Sequence, residues 1–84
     1  MKAVTVYSKN YCPYCVRAKK LLKSKGVDFK EINLEGKQDE MAQLIQKTGM
    51  RTVPQIFIDD ELVGGFTELN ALEKSGELDK KLKS

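Results

Sequence analysis

The sequence has no histidine and only two cysteines, Cys12 and Cys15. The first absence excludes a histidine general base and any cysteine–histidine zinc site within one chain. Two thiolates alone leave a tetrahedral structural zinc site unfilled, so no metal is expected. No run approaches the ~18 apolar residues that a membrane-spanning helix requires, so no membrane partner is expected. The opening Met1-Lys2-Ala3-Val4-Thr5-Val6-Tyr7 carries one positive charge and then alternates. It lacks the long apolar stretch and small-residue cleavage site of a secretory leader, so a cytoplasmic setting is expected.

What remains suits a single globular domain covering residues 1–84. Hydrophobic residues make up 40% and charged residues 32%, which argues against disorder. A chain this short buries about 60–65% of its unfolded surface, so its core is modest. The net charge is +3, and the lysines are spread over several segments, as at Lys19, Lys20, Lys23, Lys25, Lys80, Lys81 and Lys83. These read as solvated helix faces. No aromatic-rich basic strand supports nucleic-acid binding, though a mild positive bias favours small anionic partners.

Ala3 to Ser8 is a β-branched run that predicts a buried strand. From Pro13 to about Lys25 the pattern turns helical, with Cys15, Ala18 and Leu22 on one face and Gly26 as the stop. Val27 to Leu34 reads as a second strand whose alternation slips phase between Phe29 and Ile32. Lys37 to Thr48 predicts a second helix, ended by Gly49. Gln55–Ile58 and Glu61–Val63 form a hairpin about Asp59-Asp60. After Gly64-Gly65, Phe66, Leu69 and Leu72 space a third helix to about Ser75. Leu78 to Ser84 reads as a short terminal helix or a frayed end. The order β-α-β-α-β-β-α gives an α/β fold with a parallel β-α-β start and helices on both sheet faces.

Cys12-Pro13-Tyr14-Cys15 sits where a loop enters the first helix. Proline is favoured at the first helical position, which makes Cys12 the N-cap. Its sulfur then faces the free N–H groups of Tyr14 and Cys15 and the positive end of the helix dipole. Cys15 lies three residues on, on the same face and within disulfide reach. A thiol in this setting ionises more readily than a free one. A strong shift of that kind would raise the thiolate fraction at neutral pH by roughly thirtyfold and lower intrinsic nucleophilicity by about as much. The remaining advantage is as a leaving group when a mixed disulfide on Cys12 is attacked. A purely structural bridge over so short a loop removes little chain entropy, roughly 2 kcal/mol, so a redox role is the better reading.

Three further segments point to a peptide ligand. Val53, ahead of Pro54, is pushed to an extended conformation in which its N–H and C=O can pair with another strand. A cis Val53–Pro54 bond, on the residues alone, is a minority outcome of roughly 5–6%. Glycines before the third helix leave the N–H groups of Phe66 and Thr67 as a seat for a carboxylate. Lys9, three residues before Cys12, adds positive charge.

Lys9, Cys12-Pro13-Tyr14-Cys15, Thr52-Val53-Pro54 and Gly64-Gly65-Phe66-Thr67 together resemble the glutaredoxin family, over nearly the whole chain and in its dithiol class. The resemblance implies a thioredoxin fold with a four-stranded mixed sheet and a cis Pro54. It implies a glutathione-dependent oxidoreductase with Cys12 as nucleophile and Cys15 as resolving thiol. Glutathione would be a co-substrate, its cysteine pairing with the Val53 backbone. Its glutamyl carboxylate would sit at Phe66 and Thr67, its glycyl carboxylate near Lys9 and Arg51, and Gly65 would also contact the tripeptide. Tyr14 would line the groove, with Thr52 and Pro54 beside it. Expected partners are glutathionylated or disulfide-containing proteins, ribonucleotide reductase among them, and the expected state is a monomer. Two positions depart from many relatives: Phe66 stands where they have cysteine, and Met41 where some have a glutamine that reaches glutathione. Two alternatives stay open, a thioredoxin-like redoxin reduced by a flavin reductase and an iron–sulfur carrier that dimerises through glutathione.

Overall fold

The computed structural model describes residues 2–83. Its elements run β1 (Val4–Ser8), α1 (Pro13–Ser24), β2 (Lys30–Asn33), α2 (Gln38–Thr48), β3 (Gln55–Ile58), β4 (Glu61–Gly64), α3 (Phe66–Ser75) and α4 (Glu77–Lys83). The strands form one sheet in the order β2-β1-β3-β4. β1 is parallel to β2 and antiparallel to β3, and β4 is antiparallel to β3, so the sheet is mixed as expected.

Alternation along β1 sorts the chain into two cores. Val4 and Val6 join Ile56 and Ile58 of β3 beneath Ala18, Leu22 and Leu69, which come from α1 and α3. On the opposite face Tyr7 and Phe57 meet edge-on, with ring centroids 5.7 Å apart, and Leu34, Met41 and Leu44 complete a smaller core under α2. β3 is buried along its whole length because helices cover both of its faces.

The second strand starts three residues later than the sequence pattern suggests. Val27 is buried among the residues packed on α1, and its N–H bonds back to Leu22 O at 3.0 Å. Val27 therefore finishes the helix turn, which accounts for the phase slip before Ile32. Gly26, at φ +71°, makes that turn possible.

The chain's last segment is a helix and is anchored. Leu78 and Leu82 are buried against the main core, and Leu82 O accepts the Lys2 N–H at 2.9 Å. Lys25 Nζ reaches Glu73 and Asp79, each at 2.7 Å, and so joins the end of α1 to α3 and α4. The expected terminal element extended to Ser84, which lies outside the described residues.

Candidate active site

Cys12 is the N-cap of α1, with extended backbone at φ −113° and ψ 99°, and Pro13 occupies the first turn. Its Sγ accepts the Cys15 N–H at 3.1 Å. The two cysteines form a disulfide with a Cα separation of 5.2 Å. Cys12 is half-buried, whereas Cys15 is 1% exposed and contributes to the buried face of α1. An incoming thiol therefore meets Cys12 first.

Tyr11 delivers the chain to this cap at φ +56°, a left-handed conformation costing about 1–2 kcal/mol for a residue with a side chain. Its ring is fully exposed. The preceding loop is tied to the end of β2 on two sides. Asn10 N–H donates to Glu35 Oε1 at 3.2 Å, and Asn33 Nδ2 donates to Asn10 Oδ1 at 3.0 Å.

Beside Cys12 runs a groove of about 290 Å³. It is lined by seven of the expected residues: Tyr14, Thr52, Val53, Pro54, Gly65, Phe66 and Thr67. Three segments far apart in sequence converge here. The first turn of α1 gives Tyr14, the connection before β3 gives Thr52 to Pro54, and the start of α3 gives the rest. The Val53–Pro54 peptide is cis, as the family pattern implied. Cys12 Sγ lies 3.7 Å from Val53 O, so the sulfur and this backbone share one edge of the groove. Since Sγ is in a disulfide and carries no proton, this is a contact and not a hydrogen bond.

Met50 and Glu68 also line the groove; the sequence reading passed over Met50 and gave Glu68, the end of the Gly64–Glu68 segment, no role of its own. Glu68 occupies the third helical position of α3, and its Oε1 accepts the Gly65 N–H at 2.7 Å. This is one half of a capping box, since glycine has no side chain to return the bond. A glutamate three residues after a cap was the signal available. The Phe66 and Thr67 N–H groups, in the first turn, have no intrahelical partner to satisfy. Gly64 turns the chain into α3 at φ +123°, and an added Cβ there would stand 2.8 Å from Glu68 Oε1.

Lys9 and Arg51 do not line this groove. Lys9 lies on the far side of the cysteines, in a second groove of about 510 Å³ that also touches Cys12, Cys15, Lys19 and Glu31. Arg51 is exposed and borders neither groove. Met41 is 8% exposed and packed in the core under α2, with no access to either groove. Under the second groove, buried Ser8 Oγ donates to Glu31 Oε2 at 2.7 Å and Lys19 Nζ to the same oxygen at 2.9 Å. The Ser8 hydroxyl first, and then the Lys19 ammonium, hold the Glu31 carboxyl below its ordinary range. Another groove, of about 480 Å³ between β2 and α2, contains neither cysteine and is remote from this chemistry.

Comparison with known proteins bears on the same features. Residues 4–63 match the family model described as glutaredoxin. A glutaredoxin of Pseudomonas aeruginosa is 52% identical over 79 residues, covering 94% of each chain. Glutaredoxin 3 of Escherichia coli K12 is 48% identical over 83 residues, covering 99% of this chain and all of its own. Among solved structures, a buckwheat glutaredoxin–glutathione complex superposes with a TM-score of 0.89 at 38% identity, covering 96% of this chain and 76% of that one. The Brucella melitensis glutaredoxin gives 0.88 at 44% identity, covering 99% and 90%. A redox-capable cysteine pair at a helix start, a groove beside it and these likenesses agree: the chain belongs to the glutaredoxin family.

Proposed function

We propose that this protein reduces glutathione mixed disulfides and protein disulfides, with glutathione as the electron donor. The observation that carries the reading is the position of Cys12 Sγ. It caps α1, accepting the Cys15 N–H, and lies 3.7 Å from the Val53 carbonyl at the edge of a groove of tripeptide size. The glutathione complex of the buckwheat relative supports glutathione as the groove's occupant. The relatives favour neither the flavin-reduced redoxin nor the iron–sulfur carrier.

In the first half-reaction the Cys12 thiolate attacks the glutathione sulfur of a mixed disulfide. A Cys12–glutathione bond forms, the substrate's own sulfur–sulfur bond breaks, and the substrate leaves as a thiolate that takes a proton from water. A second glutathione thiolate then attacks the glutathione sulfur held on Cys12. Oxidised glutathione departs and the Cys12 thiolate is restored. The Cys15 N–H and the helix start favour that thiolate as the leaving group. With a protein disulfide, Cys12 forms a mixed disulfide with the protein. The Cys15 thiolate attacks the Cys12 sulfur, the protein thiolate leaves, and the Cys12–Cys15 disulfide results. Two glutathiones reduce that bridge in turn.

Within the groove, the Val53 backbone pairs with the tripeptide and the free N–H groups of Phe66 and Thr67 take a carboxylate. Lys9 and Arg51 reach the other carboxylate only by extending from outside the groove. The deciding experiment is glutathione-coupled reduction of a small glutathione mixed disulfide. Wild type turns over and Cys12→Ser does not. Turnover with thioredoxin reductase but not with glutathione would refute the reading.

A further inference from the structure

Gln55 is fully buried at the start of β3, in a strand otherwise made of Ile56, Phe57 and Ile58. Its Nε2 donates to Met50 O and to Thr52 O, each at 3.0 Å. Both amide protons are thus spent on one short connection, the one that brings Thr52 and Val53 to the groove. Among the described residues, no backbone–backbone hydrogen bond joins residues 50–54 to the rest of the fold. Besides these, the Met50 N–H donates to Thr48 Oγ1 at 3.1 Å, Val53 packs against the smaller core and Pro54 is buried.

The other end of the amide is costly. Among the described residues, Gln55 Oε1 is buried and has no protein hydrogen-bond partner. Burying an unpaired acceptor opposes folding, whereas a methionine of similar length would fill the same space without that cost. Packing alone therefore gives no reason for an amide here. Its two donated bonds give one, because they fix the carbonyls on either side of Arg51 and hold the chain leading into Val53. Val53 O, uncommitted to the fold, faces Cys12 Sγ at 3.7 Å.

We propose that Gln55 is a positioning residue: it presents the Thr52–Val53 backbone to glutathione and so sets the enzyme's preference for glutathione-bearing disulfides. The proposal rests on the groove being the glutathione site. A loop fixed before binding loses less freedom on binding, so loosening it weakens the hold on the tripeptide without touching the sulfur chemistry.

The test compares wild type with Gln55→Met and, as a second shape-preserving change without amide donors, Gln55→Leu. Each is assayed on a small glutathione mixed disulfide and on a disulfide with no glutathione moiety. Loop motion is read separately, from backbone NMR relaxation of Arg51, Thr52 and Val53 without ligand. The expected result is a three- to tenfold fall in kcat/KM for the glutathione substrate, mostly through KM. The other substrate changes less than twofold, the loop relaxes faster, and the melting temperature stays within a few degrees. Equal losses on both substrates, or an unchanged preference with a rigid loop, overturn the proposal. A wild type inert with glutathione would instead overturn the reading of the groove, and loop relaxation would still judge the role of Gln55.

Discussion

The Tyr14 and Phe66 rings stack across the start of two helices, 6.2 Å between centroids and 29° between planes. Tyr14 belongs to the redox motif on α1, and Phe66 opens α3. Arg17 Cζ lies 5.2 Å from the Tyr14 centroid, so a cation bears on the same ring. One wall of the groove is therefore an aromatic pair reaching between the two helix starts.

Phe66→Ala should lower that wall while leaving the cysteines in place. The lost stacking amounts to about 0.5–1.5 kcal/mol. Phe66 also packs half-buried against the main core, so unfolding should become easier by roughly 1–2 kcal/mol. A rise of about three- to tenfold in KM for the glutathione mixed disulfide is expected, with kcat little changed. Steady-state kinetics and a urea melt check both parts. An unaltered KM would mean that the aromatic wall does not touch the ligand.

Glu68 places a carboxylate at the helix start where a ligand carboxylate is proposed to sit. Glu68→Gln keeps an oxygen for the Gly65 N–H and removes the like charge. Two effects of opposite sign should follow. Stability should fall by about 0.3–1 kcal/mol, because a negative charge is lost from the positive end of α3. KM for the glutathione substrate should fall about twofold at low salt, and the gain should shrink as salt rises. A KM that rises would show that Glu68 helps to hold the ligand.

Cys15→Ser should separate the two reactions. By the proposed mechanism deglutathionylation uses Cys12 alone, so it should persist at a rate comparable to wild type. Reduction of a protein disulfide by the dithiol route should be lost, because no second thiol remains to displace the protein from Cys12. Mass spectrometry should find that protein trapped on Cys12. Loss of both activities would show that Cys15 is needed for more than resolution.

Much of this was legible because it is local. Pro13 after Cys12 marks a helix start, and the structure places Cys12 at that start as its cap. The glycine pair ahead of Phe66 likewise carries its turn with it, whereas the cis Val53–Pro54 bond was implied only by the family resemblance. What was hidden depended on packing. Val27 is apolar because it finishes α1, not because it is in a strand. Met50 lines the groove only because its segment folds back beside Gly65. Tyr11 has no feature in sequence that announces a positive φ. Gln55 did leave a trace, a polar residue at the head of an apolar strand, but its bonds to Met50 and Thr52 appear only when the connection before β3 is built.

The clasp of Lys25 on Glu73 and Asp79 should govern how the C-terminal helix responds to pH. The Asp79 carboxylate first, and then Glu73, raise the Lys25 pKa above its ordinary 10.5. The Lys25 ammonium in turn holds the Asp79 carboxyl below its ordinary 3.8. For the lysine, the folded value exceeds the unfolded one, so its contribution is complete below pH 10.5 and is lost as pH climbs through the folded value. For the aspartate the order reverses. Its contribution is complete above the unfolded value of 3.8 and is lost as pH drops through the folded one. Lys25→Met should therefore lower the melting temperature by a nearly constant amount between about pH 5 and 9.5, and the gap to wild type should narrow beyond both ends. Added salt should narrow it throughout, since Asp79 is open to solvent. Hydrogen exchange should place the loss in α4, where amides near Leu78 and Leu82 become less protected. A gap that stays constant from pH 2 to 12 would mean that Lys25 acts through the packing of its methylenes and not through its charge.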